Sequence, residues 1–227
     1  MSLPSHHPGD TLLIDYAGGG LCEGAALVVA THTAYCPGCR RMVGEMEAVG
    51  GALLDGIEPD ETLSPDGLEA LFARIDREEA GRPPRPPCQP AARPTAADAP
   101  RPLIPEPLRS YLGGGDLESR RWRFLQPGIR CIDLKAGPNV TTRLVRMKGG
   151  VAVPQHTHGD MELTVVLDGG FSDELGSFQP GDVAIGDPSI DHRPVSDPEG
   201  CLCLATTIGG LRLTGPIGRL FNRFMDF

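Results

Sequence analysis

The chain has 227 residues but only six histidines and seven cysteines, and five of those thirteen gather at two places. The first is "HTAYCPGC", where His32, Cys36 and Cys39 are spaced H-x3-C-x2-C. Two thiolates and an imidazole suit tetrahedral zinc, which takes a fourth ligand when the site is closed. His7, 25 residues before His32, could supply it, and His6 is its neighbour and competitor. A redox pair made by Cys36 and Cys39 is the other chemistry this spacing allows. The second place is "HTHGDME", holding His156, His158 and Glu162, with His192 thirty residues further on. His156 and His158 alternate, so on a strand both point to one side. Three imidazoles and one carboxylate suit Zn2+ or another divalent transition metal, with one or two coordination positions left open.

The elements that must position these groups differ between the two ends of the chain. Around the first cluster the periodicity is helical. A short helix over Asp10–Ala17 is expected to stop at Gly18-Gly19-Gly20. Leu21, Ala25, Val28 and His32 fall on one face of a second helix that ends near His32. A third begins near Cys36, with Pro37-Gly38 as the knuckle between them and a stripe of Met42, Met46, Val49 and Leu53. Leu68, Leu71, Phe72 and Ile75 give a fourth helix its apolar stripe, with Ser64-Pro65 as N-cap and first turn. The C-terminal part reads as β: "IRCIDLK", "TTRLVRMK", "ELTVVLDGG", "DVAIG" and "CLCLATTI" are apolar runs separated by Gly, Pro and Asp turns, as in a barrel or sandwich. The expected fold class is therefore α+β in two domains, a small four-helix unit at 1–80 and a β-barrel or sandwich at 108–227.

Between them, residues 81–107 contain ten prolines in 27 positions and read as an extended linker. Charge divides at the same point. Residues 1–80 carry four arginines and no lysine against 14 acids, whereas residues 108–227 carry 13 bases against 14 acids. So acidic a first part is a poor binder of nucleic acid, whose phosphates need Lys and Arg, and a basic protein is its natural complement. The longest apolar run, Ala25–Ala30, is too short to cross a bilayer, which takes roughly 20 residues. No signal peptide is visible, so a cytoplasmic protein without membrane contact is expected. Cys22, Cys88 and Cys131 stand alone, and Cys201 and Cys203 read as small core residues of one strand face, with a redox role as the other reading.

His7 followed by "HTAYCPGC" resembles the zinc-binding anti-sigma domain of bacterial anti-sigma factors. The resemblance implies that His7, His32, Cys36 and Cys39 hold Zn2+, and that the helical domain binds an extracytoplasmic-function (ECF) sigma factor. It also implies that Leu68, Leu71, Phe72 and Ile75 face that partner; on their spacing alone they could equally be an internal core face. "GVAVPQHTHGDMELTVVLDG" is similar to the first motif of the cupin superfamily, G-x5-H-x-H-x3-E-x6-G, and Gly181 and His192 keep the spacing of the second. That second motif departs at Asp187, Ser189 and Ser196, where Pro, Gly and Asn are usual, which supports metal ligation by His156, His158, Glu162 and His192 better than it supports an enzymatic pocket. A zinc domain, a proline-rich spacer and a cupin in this order resemble the cupin-bearing anti-sigma factors. For these the implied function is sequestration of the sigma factor, with the cupin promoting release under singlet oxygen or organic peroxide. The alternative is a metal-dependent cupin enzyme of dioxygenase type with a helical docking domain.

Overall fold

The computed structural model describes residues 3–58, 64, 66–81, 104–113 and 117–215. Most of the proline-rich linker and Cys88 lie outside these residues. By contacts the chain forms one compact unit from Met1–Gly50 with Pro102–Phe227, and another from Gly51–Arg101. The boundaries thus differ from the 1–80 and 108–227 division expected of the sequence. The helical residues before Gly51 thus belong to the same unit as the β part.

Helix α1 (Asp10–Ala17) starts after Gly9, which has φ +82°, and ends at Gly18-Gly19. Helix α2 (Glu23–Tyr35) continues one turn beyond the expected stop at His32. Cys36 is extended (φ −107°, ψ 103°), and its N–H closes the last turn on His32 O at 2.9 Å. Helix α3 (Pro37–Asp55) begins immediately afterwards, so the break is the single residue Cys36 and Pro37-Gly38 belong to a first turn. Proline suits that first position because its missing N–H would have no partner there. Helix α4 (Gly67–Ala80) starts at Gly67 after Asp66 with no side-chain cap, two residues later than the Ser64-Pro65 signal suggested. Ser64 Oγ instead accepts a bond from Asp66 N at 3.3 Å. A short helix α5 (Glu106–Tyr111) lies on α2 and buries Leu108.

The β part is antiparallel throughout. Strands β1 (Arg123–Gln126), β2 (Ile129–Leu134), β3 (Val140–Met147), β8 (Val195–Ile208), β5 (Glu162–Asp173) and β6 (Gly176–Phe178) lie in the order β1-β2-β3-β8-β5-β6, and β7 (Val183–Gly186) also pairs with β5. Strands β4 (His156–His158) and β9 (Leu211–Leu213) form a second, two-stranded sheet. All five expected runs are strands; β1, β4, β6 and β9, of three or four residues, are too short to give a period. Among the described residues no helix is long and apolar enough to cross a membrane.

The two-residue period of each strand sorts side chains between two cores. Leu144, Leu163, Val165, Leu167, Leu202 and Leu204 pack with Ala25, Leu27 and Val28 of α2. Met147, Val166, Phe171, Cys201 and Cys203 form the other cluster, inside the β part. Cys201 and Cys203 are therefore core residues of one strand face, as read from their spacing. On its other side α2 contributes Val29 to a third cluster with Leu13, Cys36, Cys39 and Val43. Only one stripe of α2 was expected to be buried, but it is covered on two sides. A helix can sit this close to a sheet only over small residues, and Gly24 is the contact point. There Thr206 Oγ1 donates to Gly24 O at 3.1 Å, and an added Cβ would fall on Thr142 Oγ1 and lie 2.8 Å from Thr206 Cγ2. In an exposed helix Gly→Ala stabilises by about 1 kcal/mol. Here Gly24→Ala is expected to destabilise the protein by about 1–3 kcal/mol through overpacking, measured by urea unfolding.

Two candidate metal centres

The first centre is assembled where α2 meets α3. His32 is fully buried in the last turn of α2, Cys36 is the break, and Cys39 is in the first turn of α3. His7 arrives from the N-terminal arm and places Nδ1 at 3.6 Å from Cys36 Sγ and 3.4 Å from Cys39 Sγ. One donor atom from each of His7, His32, Cys36 and Cys39 lies within 4.8 Å of the others. His6, the competitor in sequence, is turned away: its ring lies 4.6 Å from that of Phe178 and its Nδ1 is 3.3 Å from Asp182.

The hydrogen bonds of this group fit a cation. His32 Nδ1 donates to Gly181 O at 2.6 Å, which leaves the Nε2 lone pair facing inward, and that buried atom has no hydrogen-bond partner. Burial keeps His32 below its ordinary pKa, the state a metal requires of imidazole. Burial, aided by Cys36, pushes the Cys39 thiol up to about 12. Without a cation the fold therefore disfavours the thiolate, whereas coordination to zinc would deprotonate it.

The second centre lies inside the β part. His156 and His158 project from β4, Glu162 opens β5, and His192 precedes β8. His192 is held beside β4 by reciprocal backbone bonds with His156 of 3.0 and 3.1 Å. Each imidazole is anchored through Nδ1: His156 to Pro154 O at 2.8 Å, His158 to Asp187 O at 3.1 Å, and His192 to Asp173 Oδ2 at 2.7 Å. All three Nε2 atoms consequently face one point. His156 Nε2 and His192 Nε2 stand 3.1 Å apart, and His158 Nε2 is 3.4 Å from Glu162 Oε2. That last contact has an ion pair's distance without hydrogen-bond geometry, so His158 Nε2 is a second buried orphan. For bonds of about 2.1 Å, neighbouring ligand atoms of a metal lie about 3–3.4 Å apart. The residues present fit a divalent ion.

Charge agrees with this. Burial would raise Glu162, but the His158 contact and the three imidazoles hold it below the ordinary carboxylate range. Burial alone would lower His158, and Glu162 outweighs it and raises it. Burial lowers His156. A cavity of about 230 Å3 opens onto His156, Glu162 and His192 and is walled by apolar side chains, among them Leu125, Met147, Phe171 and Leu213. The second centre is thus accessible on one side, and the first is closed by four protein donors.

All eight candidate ligands are brought together, four and four. The third set, Leu68, Leu71, Phe72 and Ile75, is not buried against anything described: exposures run from 40% to 63%, and α4 has no buried residue. Sequence reasoning missed Asp173, 19 residues before His192, and Asp182, whose carboxylate accepts from the N–H groups of Ser5 and His6. Asp182 follows Gly181 of the second motif and could have been noticed there. Nothing in the sequence links Asp173 to His192.

Residues 114–209 match the family of ChrR cupin-like domains. Over 220 residues the chain is 39% identical to the anti-sigma-E factor ChrR of Cereibacter sphaeroides, spanning 96% of this chain and 97% of that one. The chain belongs to the ChrR family of anti-sigma factors. A crystal structure of Rhodobacter sphaeroides SigE in complex with the anti-sigma factor ChrR matches with a TM-score of 0.71 and 38% identity, covering 89% of this chain and 98% of that one. An acetylacetone dioxygenase from Acinetobacter johnsonii matches at 14% identity and a TM-score of 0.41, over 46% of this chain and 78% of that one, too slight a likeness to bear on chemistry.

The pKa of Cys39 gives this ChrR-family chain a pH signature. A thiol at about 12 in the metal-free fold, against an ordinary 9.0, holds its proton while the unfolded chain releases it. Metal-free protein should therefore lose stability as pH rises from about 9 towards about 12, by linkage. Zinc-loaded protein should not show that loss, which denaturant titrations of both forms over this pH range will measure.

Proposed function

We propose that this chain sequesters an ECF sigma factor in the cytoplasm, that Zn2+ at His7, His32, Cys36 and Cys39 orders the binding region, and that the cupin half senses oxidative stress and promotes release. The observation that carries the reading is the exposed apolar surface of α4 and the end of α3, in a family whose relative is solved bound to a sigma factor. Leu53, Leu54 and Ile57 are 67–69% exposed, and with Leu68, Leu71, Phe72 and Ile75 they make one unit unusually rich in uncovered apolar side chains. Such surfaces in soluble proteins mark interaction sites. The acidic balance of residues 1–80 complements a basic partner.

At the first centre zinc would supply folding free energy, tying the arm, α2 and α3 together. At the second, a divalent metal would leave positions open towards the cavity, where an oxidant or its product can reach it. Whatever binds there must favour the released state by a difference in free energy, not by affinity alone. The open cavity also favours a second reading, a dioxygenase-like enzyme with a helical docking domain. Oxygen consumption by the Fe(II)-loaded protein with an organic substrate would support that reading.

Two variants test the first reading. Phe72→Glu should weaken binding of the sigma factor by about 2 kcal/mol, or roughly 30-fold, with helix content unchanged in circular dichroism. Wild-type affinity in that variant removes α4 from the interface. His158→Ala should bind the sigma factor normally yet fail to release it when cells are treated with singlet oxygen or an organic peroxide, followed by co-purification. Normal release would remove the barrel centre from sensing.

A further inference from the structure

The two centres share one short stretch of chain. Its first end, the β6–β7 turn, is part of the surroundings of the Cys/His centre. Gly181 O accepts the His32 Nδ1–H bond at 2.6 Å, so a carbonyl of the barrel sets the orientation of a ligand on α2. The Asp182 carboxylate, 1% exposed, accepts from Ser5 N at 2.6 Å, His6 N at 3.0 Å and, within its own turn, Gln179 N at 2.9 Å. Val183 N donates to His6 O at 3.1 Å. These bonds fix the backbone of the arm up to the residue before His7. The fit leaves no slack: a Cβ on Gly181 would lie 2.7 Å from Pro4 Cγ and 2.8 Å from Tyr35 Cβ.

Strand β7 then runs directly to the other centre. Its last residue, Gly186, pairs with Glu162 on β5. A Cβ there would be 2.7 Å from Nδ1 and Nε2 of His158, so the ring lies flat against the backbone. Asp187 O, next along, accepts the His158 Nδ1–H bond. Four residues of extended chain, roughly 13 Å, thus begin among the outer contacts of one ligand set and end among those of the other.

We propose that β7 couples the two centres, so that metal at His156, His158, Glu162 and His192 strengthens metal binding at His7, His32, Cys36 and Cys39, with Gly181 and Asp182 as the positioning residues. The inference rests on the reading that both centres hold metal. Metal in the barrel fixes His158 and Glu162, and these fix the end of β7. The strand transmits its register to the carbonyl and carboxylate that aim His32 and His7 at the two thiols. Partners of this kind typically change metal affinity 10- to 100-fold. The coupling must be reciprocal.

The test is a chelator-buffered Co2+ series on the full-length protein. A thiolate-to-cobalt absorption band reports the Cys/His centre alone, because the barrel ligands include no sulfur, and total bound cobalt gives the other centre by difference. In wild type the centre that fills second carries the whole coupling. Its midpoint should therefore move about 10-fold to weaker binding when the first is disabled, by His158→Ala or by Cys36→Ser. Asp182→Asn should weaken the thiolate centre about 10-fold while its barrel still binds cobalt, which shows that the barrel is folded. A readout that needs no variant is amide exchange at Ser5, His6 and Val183, which should slow when barrel metal is added to wild type. Midpoints that stay within twofold in His158→Ala and Cys36→Ser, or exchange indifferent to barrel metal, overturn the coupling. A wild-type protein with no thiolate band at any cobalt level instead overturns the metal reading of the first centre, and the coupling with it.

Discussion

Helix α2 is buried on two sides, and much of the described structure depends on how it is held. One side lies on the sheet over Gly24, where the hydroxyls of Thr142 and Thr206 bond to each other and Thr206 reaches the helix backbone. The other side carries Val29 and, at the end of the helix, His32 and the break at Cys36. A helix apolar all round has no preferred surface to leave exposed and is stable only inside something larger. The larger object here is the sheet together with α1 and α5, and with α3 through Cys39 and Val43. The N-terminal helices therefore do not need to build a core from their own scarce aromatics, which would be hard for so short a segment.

The two centres differ as a closed and an open site do. Around Cys36 and Cys39 four protein donors converge, two of them sulfur, and the backbone there changes from one helix to another within a single residue. That arrangement suits an ion that stays. In the barrel the donors are nitrogen and oxygen, each imidazole is fixed from behind by an acceptor, and the front faces an apolar chamber. A divalent ion with Glu162 as the only anionic ligand would leave a net charge of about +1 there. Oxygen-bearing ligands, neutral or singly negative, are the natural match for a positive centre with a greasy wall.

Three ligands of each set were legible because they stand within a few residues of one another, H-x3-C-x2-C at a helix junction and H-x-H-x3-E on a strand and the turn after it, whereas His7 and His192 came with the family resemblance. The longer strands were legible from apolar runs for the same reason. What the sequence hid was whatever depends on contact between distant segments. The period of α2 marked one stripe, and the burial of its second side follows from where the sheet lies. The N-terminal arm offered His7 as a ligand, with His6 beside it as a competitor. Asp182, 176 residues from His6, settles it by taking the His6 backbone N–H and side chain, which leaves His7 for the thiols. Asp173 behind His192 is hidden in the same way.

Helix α3 has a further property that follows from its length. It is 19 residues long, and from Cys39 to Val49 neither a proline nor a glycine pair is present to bend it. Its base is pinned at Cys39, beside the other thiol and two imidazoles, while Val49, about 15 Å further along, stands 55% exposed. A rigid rod magnifies angle into distance. A tilt of about 10° at the pinned end would sweep Val49 through about 2.6 Å, roughly half a helical turn's rise. Side chains that interlock with a partner tolerate far less than that. A small relaxation of the bonds around sulfur is therefore enough, by leverage alone, to spoil a fit made far from it.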